Sequence, residues 1–470
     1  MPNITDIDLS TTFEAKGNWW LPAQPERPLS GTLQYSPMSI TLSLIGSLVE
    51  QDPDQLGVVK HDFVRAPIIY GHTEMGPISL VGAYCISTTH NLHEVTESCY
   101  SSRFIVIGAH VPDESIPSNY LSFESDVIDE FFGGPEFDVR DLHEGGSLVG
   151  KHIRHRSPPD VVLASKENQW SLTFREASSL THTRSSITLS ARKLLLIESY
   201  EPQVLEWFLE QMWRLCQLLS LLTDETATPR RVEIELQDSN YPVTVLWRKA
   251  ADSREQVASA MLLFYFGHLA DSFNDIVTLW FEASPTLQDG IILFSDARRS
   301  RGEIVGRFLI LTQAVEAVSR ATSDDVYMPV EEYEQVRHAL FDAIPKTVAT
   351  DHRASLKSRI KYGNEVSLRN RLKRAFDAIG DDATACVCTS RSNFINRVVD
   401  TRNYLTHYSD ELRDGALRGV ELSWACEKLA MLLRFLLLQQ VGIAPEFAAE
   451  RFKNHSRLMQ YMYLYSDRGE

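Results

Sequence analysis

A chain of 470 residues with 43% hydrophobic and 10% aromatic content has room for two or three packed domains and is too apolar for disorder. Its net charge of −17 excludes general coating by nucleic acid, because phosphate is repelled by an acidic surface. Six cysteines, at 85, 99, 216, 386, 388 and 426, match neither a disulfide framework nor a zinc pattern. The start, Met1-Pro-Asn-Ile-Thr-Asp-Ile-Asp, lacks the basic and apolar runs of a secretory signal. The greasiest stretch, Leu429 to Leu438, is interrupted by Arg434 and falls short of a membrane span. The expectation is a soluble protein of the reducing cytoplasm, away from membranes.

The first ~195 residues read as strands by alternation and turn signals, at 30–36, 40–48, 77–86, 103–111, 160–165, 169–175, 184–190 and 193–199. Prolines from Pro22 to Pro159 punctuate them, and short strands at this spacing predict a sandwich or partly closed barrel. A helical stripe follows from Glu201 to Leu222, with apolar residues at 204, 205, 208, 212, 215, 218, 219 and 222. Two strands, 231–237 and 243–248, precede an apolar run at 260–266. Beyond it the pattern is helical, at 268–282, 303–321, 330–343, 352–362, 365–380, 391–408 and 420–441, with Gly442 placed to end the last helix. The fold class expected is α+β. Its parts are a β-rich domain over 1–200, a mixed connecting region over 201–299, a helical bundle over 300–445 and a tail over 446–470.

Between His352 and Phe376 the charge reverses. Arg353, Lys357, Arg359, Lys361, Arg369, Arg371, Lys373 and Arg374 face one acid, Glu365, a local +7 that leaves −24 elsewhere. Such a lane suits one RNA strand on an otherwise acidic body; it equally suits a solvated helix face bridging to acidic neighbours.

The most informative run is Arg402-Asn403-Tyr404-Leu405-Thr406-His407. An imidazole moves protons near neutral pH and a guanidinium holds phosphate, the groups needed to cleave RNA without a metal. The bare spacing recurs at Arg65/His72, Arg103/His110 and Arg175/His182, so Asn403 and the helical context are what distinguish this copy. In a helix, Ile395, Val398, Val399, Arg402 and Leu405 share one face, which puts a charge where an apolar residue is expected. That charge requires a partner or an anion, or else snorkels to water. His407 lies about 140° around the helix from Arg402. They meet if the helix ends near Thr406, if the arginine curls round, or if a second subunit supplies its own copy. The last helix, apolar nearly all round from Leu429 to Leu438, is either deeply buried or shared across an interface.

The run from Phe394 to Tyr408, Phe-Ile-Asn-Arg-Val-Val-Asp-Thr-Arg-Asn-Tyr-Leu-Thr-His-Tyr, resembles the signature of HEPN ribonuclease domains of the ApeA-like family of bacterial anti-phage proteins. Phe308 to Arg320 is similar to that domain's first helix. Gly17-Asn-Trp-Trp-Leu-Pro, Ser30-Gly-Thr-Leu and Leu44-Ile-Gly-Ser look like the family's β-rich N-terminal domain. The resemblance implies a metal-independent, cofactor-free endoribonuclease acting as a homodimer or higher homo-oligomer through its HEPN domain, with two motifs meeting across a two-fold axis. It implies Arg402 and His407 as the catalytic pair, Asn403 as the polar residue beside them and Glu316 as a supporting group. The N-terminal domain would sense infection, through a phage-derived trigger, or restrain the nuclease.

His90/His93 and His152/His155 have metal-like spacing, but i and i+3 face opposite sides of a strand, so they read as surface histidines. Phosphate-loop, esterase-elbow and zinc-protease motifs are missing from the sequence, and Trp19-Trp20 reads as core. The rivals are a silent HEPN scaffold binding RNA or a protein partner and, by analogy, a toxin nucleotidylated at Tyr404.

Overall fold

The computed structural model describes residues 7–48, 64–89, 96–133, 137–165, 170–236, 241–249, 262–299, 303–323, 326–408 and 410–455. The backbone divides into two compact units, 1–259 with 265–267, and 260–264 with 268–470. The N-terminal region is β-rich and the C-terminal region helical, as the α+β expectation requires. Residues 300–302, where the sequence suggests a boundary, and His90 and His93 lie outside the described residues.

The first unit begins with β1 (Phe13–Trp20), β2 (Leu29–Ser36), β3 (Ser39–Ile45), β4 (Arg65–Thr73), β5 (Gly76–Thr89) and β6 (Glu97–Ser101). They form a closed antiparallel barrel in the order β5-β4-β1-β2-β3-β6, because β6 returns to β5 from Tyr84↔Ser101 to Thr89↔Glu97. Alternation decides which side chains fill it. In β1, Phe13, Ala15 and Trp19 are buried while Glu14, Lys16 and Asn18 face out. Gly17 and Gly31 sit directly opposite each other. A Cβ on Gly17 would collide with the His72 carbonyl, and one on Gly31 with that of Ser43, so only glycine lets these strands approach. Trp19 is core, its Nε1 donating to the Gly31 carbonyl at 3.3 Å.

The chain continues through β7 (Phe104–Ile107), β8 (Ser118–Phe123), α1 (Asp126–Phe131), a separate hairpin of β9 (Phe137–Glu144) and β10 (Ser147–His155), and β11 (Val161–Ser165). Then follow β12 (Trp170–His182), β13 (Ile187–Gln203), α2 (Leu205–Thr223), β14 (Val232–Leu236) and β15 (Val243–Trp247). Apart from the separate hairpin, these strands extend the barrel sheet from β5 in the order β7-β15-β14-β8-β13-β12-β11. The architecture is thus a closed barrel with a long antiparallel sheet attached, where the sequence suggested a sandwich or partly closed barrel. Helix α2 buries Leu205, Phe208, Met212, Leu215, Leu219 and Leu222, the stripe read from the sequence.

The short α3 (Phe266–Leu269) is split between the units, and the second unit contains α4 (Phe273–Phe281), α5 (Pro285–Arg299), α6 (Ile304–Thr322), α7 (Val330–Asp342), α8 (Thr350–Lys361), α9 (Leu368–Val387), α10 (Arg391–His407), α11 (Gly419–Gln440) and α12 (Pro445–Asn454). Helix α5 lies tightly along α6, where a Cβ on Gly290 would come within 2.7 Å of Val318 Cγ2. Helix α11 runs through the centre, against α6, α9, α12 and α5. Leu429, Leu432, Leu433, Phe435 and Leu438 are wholly buried, and Phe435 stacks on Phe452 of α12 at 4.6 Å. Of the two alternatives for this all-apolar helix, deep burial within one protomer is the one observed.

Candidate functional site

Helix α10 is seated by Phe394, Ile395 and Val398, all buried, and then by Thr401, whose hydroxyl accepts the Leu417 backbone N–H at 2.9 Å with no exposure to solvent. This hydrogen bond pins the last turns of α10 to the segment leading into α11. One residue later the apolar stripe gives way to Arg402. Its guanidinium is half-buried and lies 3.8 Å from Glu316 Oε1 on α6, with Asn403 Oδ1 at 3.5 Å. The charge that the stripe could not accept therefore has a carboxylate opposite it.

The helix continues without a break to His407, and Tyr408 ends it in the left-handed region with φ of 52°. The helix thus ends within a residue of Thr406, near where the sequence pattern put its end. Within one protomer Arg402 turns to α6, while His407 is exposed. Tyr404 is half-buried, edge-on to Tyr408 at 5.6 Å, with the Arg418 guanidinium 5.5 Å from its ring centre.

Glu316 sits in a field of cations from three helices. Arg371 on α9 is 2% exposed, donates from Nε to the Val366 carbonyl at 2.9 Å and reaches Ser319 of α6 at 3.5 Å. Burial pushes its guanidinium down from the usual value; Arg320 reinforces the shift and Glu316 opposes it. Arg320 pairs with Glu365 at 2.8 Å, and Arg369 bonds Asn396 and approaches Asp400 at 3.8 Å. Together these contacts place the end of α6, the start of α9 and the end of α10 side by side.

The eight cations of the basic lane do not form one surface. Arg371 is interior. Arg353 closes the α7–α8 turn by donating to the carbonyls of Pro345, Lys346 and Val348. Lys357 and Lys361 lie over the rings of Phe341 and Tyr362, and Arg359 and Lys373 are exposed. Arg369 and Arg374 are half-buried on α9. Sequence reasoning missed Thr401 and the interior place of Arg371. Thr401 was findable, since it directly precedes Arg402 on a helix whose other face is apolar.

Of the histidine pairs, His152 and His155 do face opposite sides of β10, opposite Arg140 and Phe137 respectively. His155 is not the surface residue its strand position suggested, however. Its ring is buried, 2.8 Å from Glu176, because the β9–β10 hairpin folds onto β12 there. Among the described residues there is no cluster of three or more metal-ligating side chains, and no helix is long and apolar enough to cross a membrane.

The barrel strands line a depression of about 650 Å³. Strand register sets Lys16, Thr32, Ser43, Cys99 and Ser87 in one rank across five strands, with Asn18, Ser30, Glu97 and Thr89 in the rank beside it. The lining is mixed, with Leu44 and Ile45 beside the serines, threonines, Lys16 and Glu97.

Residues 14–280 match the model of ApeA N-terminal domain 1, and residues 309–447 match that of the ApeA-like HEPN domain. The first match alone covers more than half of the chain. The protein belongs to the ApeA-like family. As an HEPN-containing member of that anti-phage group, it carries Arg402, Asn403, His407 and Glu316 all inside the matched HEPN segment, and the barrel inside the ApeA N-terminal match. Comparison with curated proteins and with solved structures returned no match.

Proposed function

We propose that the HEPN unit of this ApeA-like protein is a metal-independent endoribonuclease. The ribose 2′-oxygen attacks the adjacent phosphorus, the P–O5′ bond breaks, and the products are a 2′,3′-cyclic phosphate and a 5′-hydroxyl. His407 takes the 2′ proton or returns one to the leaving 5′-oxygen. Arg402 holds the phosphate as negative charge grows on its oxygens, with Asn403 steadying a phosphate oxygen or the imidazole. Arg369, Lys373 and Arg374 of α9 supply positive charge for the strand. The observation that carries this reading is the placement of Arg402: a half-buried guanidinium held at long range by one carboxylate, on the same helix end as an exposed imidazole. A phosphate can replace so weak a partner.

Because the two side chains diverge on one unbroken helix, a second copy supplies the facing motif, and the active species is a homodimer. The N-terminal domain holds the nuclease in check and takes its phage-derived trigger in the depression lined by the barrel strands. The same divergence favours the second reading, a silent scaffold that binds RNA or a protein partner. Incubating wild type and His407→Ala with labelled total RNA in EDTA decides between them. Cyclic-phosphate ends made by wild type and lost in the variant support the enzyme. Cleavage that survives the substitution removes His407 from the mechanism, and no cleavage under any activating condition supports the scaffold. An adduct on Tyr404 would register in the intact mass of the purified protein.

A further inference from the structure

The chain leaves the helical bundle after α6 and returns to it at α9 through a hydrogen-bonded neck. Val326 bridges Glu365, the Tyr327 N–H donates to the Asn364 carbonyl, and the Asn364 side chain clamps both the N–H and the carbonyl of Met328. Between these points α7 and α8 form an arm that buries almost nothing. Tyr333 is the one buried residue of α7, and α8 has none. Helices of 13 and 12 residues are marginal on their own in water and draw their stability from a packed face. Here one such face is left in solvent: Glu332, Val336, Ala339 and Leu340 share a side of α7, with Val336 39% and Leu340 44% exposed.

Charge is divided between the two helices. Helix α7 carries Glu331, Glu332, Glu334 and Asp342 against Arg337, whereas α8 carries Arg353, Lys357, Arg359 and Lys361 against Asp351. Glu334 is satisfied by Arg337 within its own helix. Among the described residues, no ion pair inside the protomer engages Glu331, Glu332 or Asp342, or Lys357, Arg359 or Lys361. An arm with one acidic and one basic helix is complementary to itself under a two-fold rotation, which sets α7 of one copy on α8 of the other, twice over.

We propose that the α7–α8 arm docks onto the same arm of a second copy of this chain, acidic helix to basic helix, over the seam of Val336, Ala339 and Leu340. The lysine stems of the partner's α8 cover that seam while their ammonium groups meet the carboxylates at its edge. This deepens the proposed reading by giving the homodimer its surface; it rests on self-association of the HEPN unit and on no step of RNA cleavage.

The test reverses charge on the full-length chain. One variant carries Glu331→Lys, Glu332→Lys and Asp342→Lys; the other carries Lys357→Glu, Arg359→Glu and Lys361→Glu. All six residues are exposed, and circular dichroism verifies that each variant folds. Sedimentation velocity is expected to show wild type as a dimer, each variant alone as a monomer with at least tenfold weaker association, and an equimolar mixture as a heterodimer. Restoration on mixing cannot arise from contacts inside one arm. A monomeric wild type, a variant that still dimerises, or a mixture that stays monomeric overturns the proposal. So does loss of RNA binding in the second variant with its dimer intact, which would make the arm an RNA holder. RNA cleavage is read separately, so a failed arm and a failed nuclease give different results.

Discussion

Glu316 and Arg402 face each other across 3.8 Å, from the first long helix of the HEPN match and from the helix that carries the motif. Both are about one-third exposed, so the pair contributes only about 0–1 kcal/mol to stability. Its consequence is orientation. Glu316→Gln should leave the melting temperature within about 3 °C of wild type and reduce the cleavage rate about tenfold at saturating RNA, because Arg402 loses the group that aims it. A full-rate Glu316→Gln enzyme would remove Glu316 from the site.

His407 is exposed at the end of α10 and holds no structure in place. His407→Ala should therefore fold with unchanged stability while losing about 10²–10⁴ in cleavage rate. A substrate with a single 2′-deoxyribose at the cut position should survive intact, since the attacking oxygen is missing. Gel analysis of end-labelled oligonucleotides reads both outcomes, and cutting at the deoxy position would rule out the cyclic-phosphate route.

Thr401 gives a contrasting prediction, because its effect is on folding. Thr401→Val keeps the shape but orphans the Leu417 N–H, at a cost of about 1–3 kcal/mol. Thr401→Ser retains the oxygen and should lose less. Urea denaturation followed by circular dichroism measures the difference, and equal stability of the two variants would mean that water replaces the hydroxyl.

The burial of α11 changes what substitutions there will do. Leu432→Ala should cost about 2–5 kcal/mol as a cavity mutant. Leu432→Glu should yield unfolded or insoluble protein, not a folded monomer. A soluble, cooperatively melting monomer of Leu432→Glu would place this helix at an interface after all.

Periodicity made much of the fold legible. The stripes of α2, α6, α10 and α11 and the strands β2, β3, β14 and β15 lie within a few residues of where the pattern puts them. Strands β1, β4, β6, β8, β9 and β10 were not read. Gly17 breaks the apolar alternation of β1 for the sake of close strand approach, and β6 is only five residues long. Helices α5 and α12 were also illegible, for α5 opens on proline and has a glycine in its contact face, and α12 is a short helix stabilised by its packing on α9 and α11. At the site, the sequence pattern identified Arg402 as a charge in need of a partner, and Glu316 is that partner. It could not show that Arg371, three helices away in the folded chain's order, turns inward, because a single arginine in a basic run looks the same whether it faces water or Ser319.

Strand β5 belongs to two structures at once. Its first half, Ile78 to Val81, is bonded to β7 in the extended sheet, and its second half, Tyr84 to Thr89, closes the barrel against β6. One continuous backbone thus serves as a common rail. Strain applied to the barrel along this seam therefore falls on a strand that the extended sheet also uses.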